Sequence, residues 1–281
     1  MLKYTLQRIL YMFVVFMIIT LMCFVLIRML PLAPLPAGDP HTAVVEARRE
    51  AMGYNKPYLE QFWMFLKNVA TKFDWGVSDK LFLGREVVDI FTQRLPATVI
   101  VNLYSIIFAI PIGIALGVFA ALKKNTWVDY LISTLTMVVI SVPSFVYAFL
   151  IQYIFSFKLG WLPFLMKSGT DWFSPAMFVS MLPAIMSLAF GTIAGFTRTT
   201  RAELTEVLTS EFMLLARTKG LTKAQATVRH ALRNCFVVVV PAIIGEFVSI
   251  LGGSLIIERI FSIPGVGRLT IDAINGQDYP I

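Results

Sequence analysis

Between Arg8 and Arg28 the chain runs through nineteen residues, Ile9 to Ile27, without a charge. Coiled as a helix, that stretch spans roughly 28 Å, about the thickness of a bilayer's hydrocarbon core. Four further runs have the same character: Leu95–Leu122, Tyr130–Phe157, Trp172–Thr197 and Asn234–Ile257, the last interrupted only by Glu246. The spacing predicts five membrane-spanning helices and an all-α polytopic membrane protein. Composition agrees, with 57% apolar and 15% charged residues against about 45–50% and 25% in soluble domains. An ordinary soluble enzyme, a disordered chain and a disulfide scaffold are thereby excluded. Lys3 and Arg8 precede the first run in the manner of a signal peptide. That run is too long for one and no small-residue cleavage pattern follows, so it is read as a retained first span.

Charge sets the orientation. With the N-terminus in the cytoplasm, the inner segments carry Lys3, Arg8, Lys123, Lys124, Arg198, Arg201, Arg217, Lys219, Lys223, Arg229 and Arg233. The short outer segments carry only Lys158, Lys167, Arg259 and Arg268. Basic residues are retained on the cytoplasmic side, so this bias puts the N-terminus inside. The net charge of +7 marks membrane edges and not a nucleic-acid surface. Residues 28–94 then lie outside, with nine basic and eight acidic side chains. Pro31, Pro34, Pro36 and Pro40 open this segment. A helix from Tyr58 to Phe73 follows, with Tyr58, Phe62, Phe65, Leu66 and Val69 on one face and Asp74-Trp75-Gly76 as its stop. The expectation is a small folded outer cap; the alternative is a helix lying on the membrane.

Inside the spans, Gly113-x-x-x-Gly117 and Gly191-x-x-x-Gly195 place small residues one turn apart, which lets helices approach closely. Pro111, Pro143, Pro183 and Pro241 each remove a backbone hydrogen bond and predict kinks. Glu246 is an acid near the middle of the fifth run, and it must face protein or a water-filled cavity. Cys23 and Cys235 read as packing residues, and His41 and His230 have no acid or cysteine at ligand spacing, so no metal site is expected.

Residues 198–234 are too polar to cross and too patterned to be slack. Ser210 is placed to cap a helix from Glu211 to Lys219, and Gly220 fits a left-handed stop. Thr222 and Gln225 have the spacing of a capping box that starts a second helix towards Leu232. Phe212, Leu215 and Ala216 make an apolar patch beside Arg217 and Lys219. Such a hairpin suits docking of a soluble partner; the alternative is an amphipathic hairpin lying in the headgroups.

The stretch from Ala216 to Asn234, ARTKGLTKAQATVRHALRN, resembles the cytoplasmic coupling loop of binding-protein-dependent ATP-binding-cassette import permeases. The general family pattern is Glu-Ala-Ala, three residues, Gly, nine residues, Ile-x-Leu-Pro. Aligned on Gly220, this chain keeps Ala216, Gly220 and Leu232 and departs at Leu214, Leu215, His230 and Arg233. The departures are similar to the oligopeptide/dipeptide branch, as are LQRILYMFVVF near the start, GDP at Gly38, LPATVIVNL at Leu95, SVPSF at Ser141 and IIERIFSIPGVGRLTIDAINGQDYP at Ile256.

The resemblance implies the type I ABC importer transmembrane fold. It divides the chain into a cytoplasmic N-terminus and first span (1–29), an extracytoplasmic cap with a helix (30–94), spans two to four (95–197), a cytoplasmic coupling loop (198–234), a fifth span (235–257) and an outer segment (258–281). Such permeases carry six helices, so a last span is expected after Ile281. The implied partners are a homologous second permease subunit, two ATPase subunits and an extracytoplasmic peptide-binding protein, in the lipid bilayer of a cell membrane. The implied coupling residues are Glu211, Ala216, Arg217, Gly220, His230, Leu232 and Asn234. Glu246 departs from the family, which carries an apolar residue there; its mid-span position makes it the candidate on the translocation pathway, the alternative being a paired acid at a helix interface. No catalytic residue is expected. ATP and Mg would be held by the partner subunits, since G-x-x-x-x-G-K-[ST] does not occur in this sequence. The implied cargo is a peptide, the alternative within the family being nickel or another small solute. From a different class, a proton-coupled secondary transporter would need inverted repeats and several intramembrane charges, and the sequence shows no repeat and one acid.

Overall fold

The computed structural model describes every residue except Met1, Ala33, Pro36 and Ala37, together with all side chains of the described residues but those of Leu2, Arg217 and Lys223. Among the described residues there are helices and one isolated β-bridge, Val77 to Glu86. Among the described residues four helical stretches are long and apolar enough to cross a membrane, or five if a bent pair counts as one span. The chain forms two compact units, Met1–Gln93 with Leu269–Ile281, and Arg94–Arg268.

The first unit contains α1 (Leu2–Arg28), α2 (Thr42–Ala51) and α3 (Tyr58–Lys72). Phe62 and its neighbours on the predicted face of α3 turn inward. Phe62 is buried, and the Phe24 ring of α1 lies 5.4 Å from Phe62 and 5.3 Å from Phe65. Tyr58 departs from that face and is exposed. Phe73, with φ 53°, ends the helix in the left-handed region. The polar residues of the segment hold its loops. Arg48 pairs with Asp74 and Arg49 with Asp79, each at 2.7 Å. Asp278 is buried and accepts the backbone N–H groups of Asp79 (2.9 Å), Lys80 (3.1 Å) and Leu81 (2.8 Å), besides the Ser78 hydroxyl. A carboxylate that closes three amides of one loop fixes that loop as firmly as a turn of helix would.

The second unit is built around α7 (Pro175–Leu208), capped by the Ser174 side chain with Pro175 in the first turn. Packed with it are α5 (Trp127–Ser141), α6 (Ser144–Ile151) and α10 (Leu232–Ser249). The long α4 (Val87–Leu122) begins eight residues before the uncharged run, because charge marks the edge of the apolar stretch and not the helix start. Gly113 and Gly117 bring α4 onto α7: a Cβ at these positions would sit 2.8 Å from the Ile193 carbonyl oxygen and 2.7 Å from that of Thr197. Gly191 and Gly195 differ, for a Cβ there meets nothing within 4 Å. Only the first glycine pair serves packing inside this chain.

The prolines act unequally. Pro96, Pro111, Pro183 and Pro241 lie within continuous helices. At Pro143 the predicted third span breaks: α5 ends at Ser141, α6 starts at Ser144, and the two directions differ by 98°. Val142, before the proline, is extended with φ −95° and ψ 127°, as the ring's clash with a helical predecessor requires. α6 continues into a π-helical stretch, Gln152–Lys158.

The predicted hairpin and fifth span are also joined differently. The helix starting at α9 (Lys223–Ala226) passes through a π-turn (Thr227–Ala231) into α10 and on to Gly252, so no break separates coupling loop from span. The helix stops at Gly253, with φ 64°, short of the expected Ile257. Ile257 instead lies on α11 (Leu255–Ile260), fully buried with Phe261 and Ile263 against Ala97, Val101 and Met181. The last helix is α12 (Val266–Gly276).

Candidate functional site

The hairpin is one short helix, α8 (Glu211–Thr218), a left-handed Gly220 with φ 88°, and α9. The capping box at its second helix is reciprocal: the Thr222 N–H donates to Gln225 Oε1 (3.1 Å) and the Gln225 N–H to Thr222 Oγ1 (3.3 Å). Ser210 behaves otherwise than expected. Its hydroxyl donates back to the Val207 carbonyl (2.6 Å) and so closes the end of α7.

The side chains of the hairpin sort into two sets. Met213 and Ala216 are buried in one cluster with Ala121, Leu204, Ala226, Ala231 and Cys235, and Val207 and Leu232 pack on its edge. Ala216 was expected at a partner's cleft, but it is 7% exposed and faces this chain's own core. Its small size suits that close-packed position. The outward set is Glu211, Phe212, Leu214 and Leu215, the two leucines 65% and 55% exposed, with Gly220 in open space. His230 and Asn234 are exposed one turn apart, Asn234 Nδ2 donating to the His230 carbonyl at 3.0 Å. The Arg217 side chain lies outside the described ones. The structure thus presents a rigidly backed apolar knob next to a glycine turn.

Glu246 is half-buried on α10, and among the described residues its partner is Ser249 on the same helix, 3.4 Å away. Among the described residues no neighbouring helix takes up its carboxylate. The apolar groove beside it is lined by Val99, Leu103, Ile244 and Phe247 without Glu246.

Among the described residues four buried acids escaped the sequence reading, Asp79 with its Arg49 partner being the first. Asp129 sits on the first turn of α5 with both oxygens on Arg201 of α7. Asp278 closes the cap loop. Glu258 on α11, 2% exposed, accepts from Thr98 Oγ1 (2.9 Å) and from the N–H of Arg268 (2.9 Å), while Thr98 Oγ1 accepts from the Val266 N–H (2.7 Å). Gly253, Gly265 and Gly267 leave room for it: a Cβ at Gly265 would lie 2.4 Å from Glu258 Oε2. Burial pushes the Glu258 carboxyl above its ordinary value, against the pull of the Arg268 amide and the Thr98 hydroxyl. The available signal was an acid flanked by spaced glycines, and for Asp129 and Arg201 opposite charges at the edges of two apolar runs. Cys235 is buried as expected, whereas Cys23 is exposed on α1.

The chain matches the family model for the binding-protein-dependent transport system inner membrane component over residues 113–281, and the model for the N-terminal part of such membrane components over residues 1–102. The chain belongs to this family. The permease is 34% identical over 284 residues to the glutathione transport system permease protein GsiC of Escherichia coli (strain K12), covering 100% of this chain and 89% of that relative. The GsiC proteins of Shigella boydii serotype 4 (strain Sb227) and Shigella flexneri serotype 5b (strain 8401) align to the same extent. The fold is therefore that of a type I ABC importer membrane subunit. The permease is a multi-pass inner-membrane protein and a non-catalytic component of its importer.

Proposed function

We propose that this permease subunit forms half of the pathway of an ATP-driven small-peptide importer, and that an ATPase subunit docks on the α8–Gly220–α9 hairpin. The observation that carries the docking reading is the hairpin's two-sided construction. Met213 and Ala216 anchor it in the core, while Leu214, Leu215 and an unobstructed Gly220 face outward. A knob that is fixed at its base transmits displacement, and a loose one would absorb it. ATP and Mg belong to the partner, and the N-terminus lies in the cytoplasm with the hairpin, as the basic residues around both support. A peptide cargo is supported by the blocks similar to the oligopeptide/dipeptide branch and by relatives named for glutathione, itself a small peptide. The second permease subunit closes the pathway, and the charge-balanced cap receives the peptide-binding protein.

Glu246 lines the pathway in this reading. A carboxylate at mid-helix costs about 2.5 kcal/mol or more if it faces lipid, and among the described residues no other helix pairs with it.

The test is Gly220→Asp in the complete importer reconstituted in vesicles. A Cβ at Gly220 meets nothing within this chain, and Asp tolerates the left-handed conformation better than most residues. The permease should therefore assemble, hydrolysis of ATP should persist, and peptide uptake should be lost. Unchanged uptake overturns the docking assignment.

A further inference from the structure

The geometry points to Asp129 and Arg201 as the positioning pair that makes α5 move together with the docking hairpin, a role that rests on the coupling reading above. Asp129 is fully buried. Its Oδ1 meets Arg201 Nε, its Oδ2 lies 2.8 Å from Arg201 Nη2, and the Asn125 N–H donates to Oδ2 at 3.0 Å. Ser133 adds a longer contact to Oδ1 at 3.4 Å. A bidentate guanidinium–carboxylate pair fixes orientation as well as distance, which an ammonium cannot do.

The pair's location gives it more than a packing task. Arg201 lies seven residues before the end of α7 at Leu208, and α8 starts at Glu211. Leu204 and Val207 of that same final stretch share one buried apolar cluster with Met213 and Ala216 of α8. On the other side, the tight turn between α4 and α5 has Asn125 at φ 64° with its amide held by Asp129. The end of α7, the base of the hairpin and the start of α5 thus form one tied block. The far end of α5 is the 98° break at Val142-Pro143, where the helical backbone ladder stops and the Tyr147 hydroxyl of α6 donates to the Val139 carbonyl of α5 at 2.7 Å. An arm clamped at one end and hinged at the other swings with whatever moves the clamp. A push on the hairpin therefore turns α5 against α6, and α5 is the element through which docking strain reaches the pathway.

Two measurements test this in the complete importer. The first compares Asp129→Asn, Arg201→Lys and the exchanged pair Asp129→Arg with Arg201→Asp, reading ATP hydrolysed per peptide imported by assembled complexes. Loss of the clamp should raise that ratio by about five-fold or more, the usual scale of a coupling effect, with the exchanged pair moving back towards the parent. A merely structural pair would reduce the number of assembled complexes and leave the ratio unchanged, which overturns the proposal. The second needs no variant at the pair. Spin labels at the exposed Leu131 on α5 and Leu214 on α8 should keep their separation through the ATP cycle. A change of about 5 Å, one helical turn, would show that α5 does not follow the hairpin. Absence of ATP-dependent uptake by the parent protein would instead refute the importer reading itself.

Discussion

Asp278→Asn isolates one acceptor in the most polar knot of the cap. The carboxylate takes three backbone amides and the Ser78 hydroxyl, and Ser78, Asp79 and Asp278 are 0%, 4% and 1% exposed. The asparagine keeps the volume and one oxygen. Its less costly orientation leaves that oxygen with Ser78, Lys80 and Leu81 and turns the new NH2 group on the Asp79 N–H, so one buried amide loses its acceptor and meets a donor. An unsatisfied buried donor costs about 1–3 kcal/mol. At about 1.4 kcal/mol per tenfold, this converts to roughly 5- to 150-fold faster exchange of the Asp79 amide. Hydrogen exchange of peptides covering residues 77–82 reads the effect directly. The change should centre on that loop, with amides of α3 altered far less. Protection unchanged within a factor of about two, below the smallest cost in that range, would refute the claim that Asp278 holds the loop.

Gly117→Val should prevent α4 from seating on α7, since even its Cβ would sit 2.7 Å from a backbone oxygen, and folded protein should fall sharply on size exclusion; Gly191→Val should leave the isolated chain's thermal unfolding unchanged, because that face is open. Because burial raises the Glu258 carboxyl, the native state holds its proton more tightly than the unfolded chain does. Stability should then decline as pH rises from the ordinary carboxylate range through the raised value, and Tm of Glu258→Gln should lack that part of the decline. Glu246→Gln should change uptake of cationic and acidic peptides unequally with normal assembly; an equal effect on both would remove Glu246 from the pathway.

The spans were legible because exclusion of charge from hydrocarbon writes itself into long runs, such as Ile9–Ile27. The capping box at Thr222 and the stop at Gly220 were legible because both are local backbone chemistry. What hid from the sequence was long-range. Asp129 and Arg201 each stand out as a charge at the edge of an apolar run, but nothing local pairs them across 72 positions, and nothing near Ser78 announces Asp278, 200 positions away. Pro143 was read as a kink like the other span prolines, although only there does the chain turn through 98°. Local steric preference is the same at each proline, and tertiary packing decides which helices continue. Ala216 shows the same limit. A small residue is needed wherever two surfaces approach, and sequence does not say whether the second surface belongs to a partner or, as here, to the chain's own core.

Docking of an ATPase subunit on the outward face of α8 can be read directly. A photocrosslinking residue is placed at Leu215, which is 55% exposed, and at Ala216, which is 7% exposed, within the assembled importer. A crosslink to the ATPase subunit is expected from Leu215 and none from Ala216. A crosslink from Ala216 alone, or from neither while the complex remains intact, would contradict it.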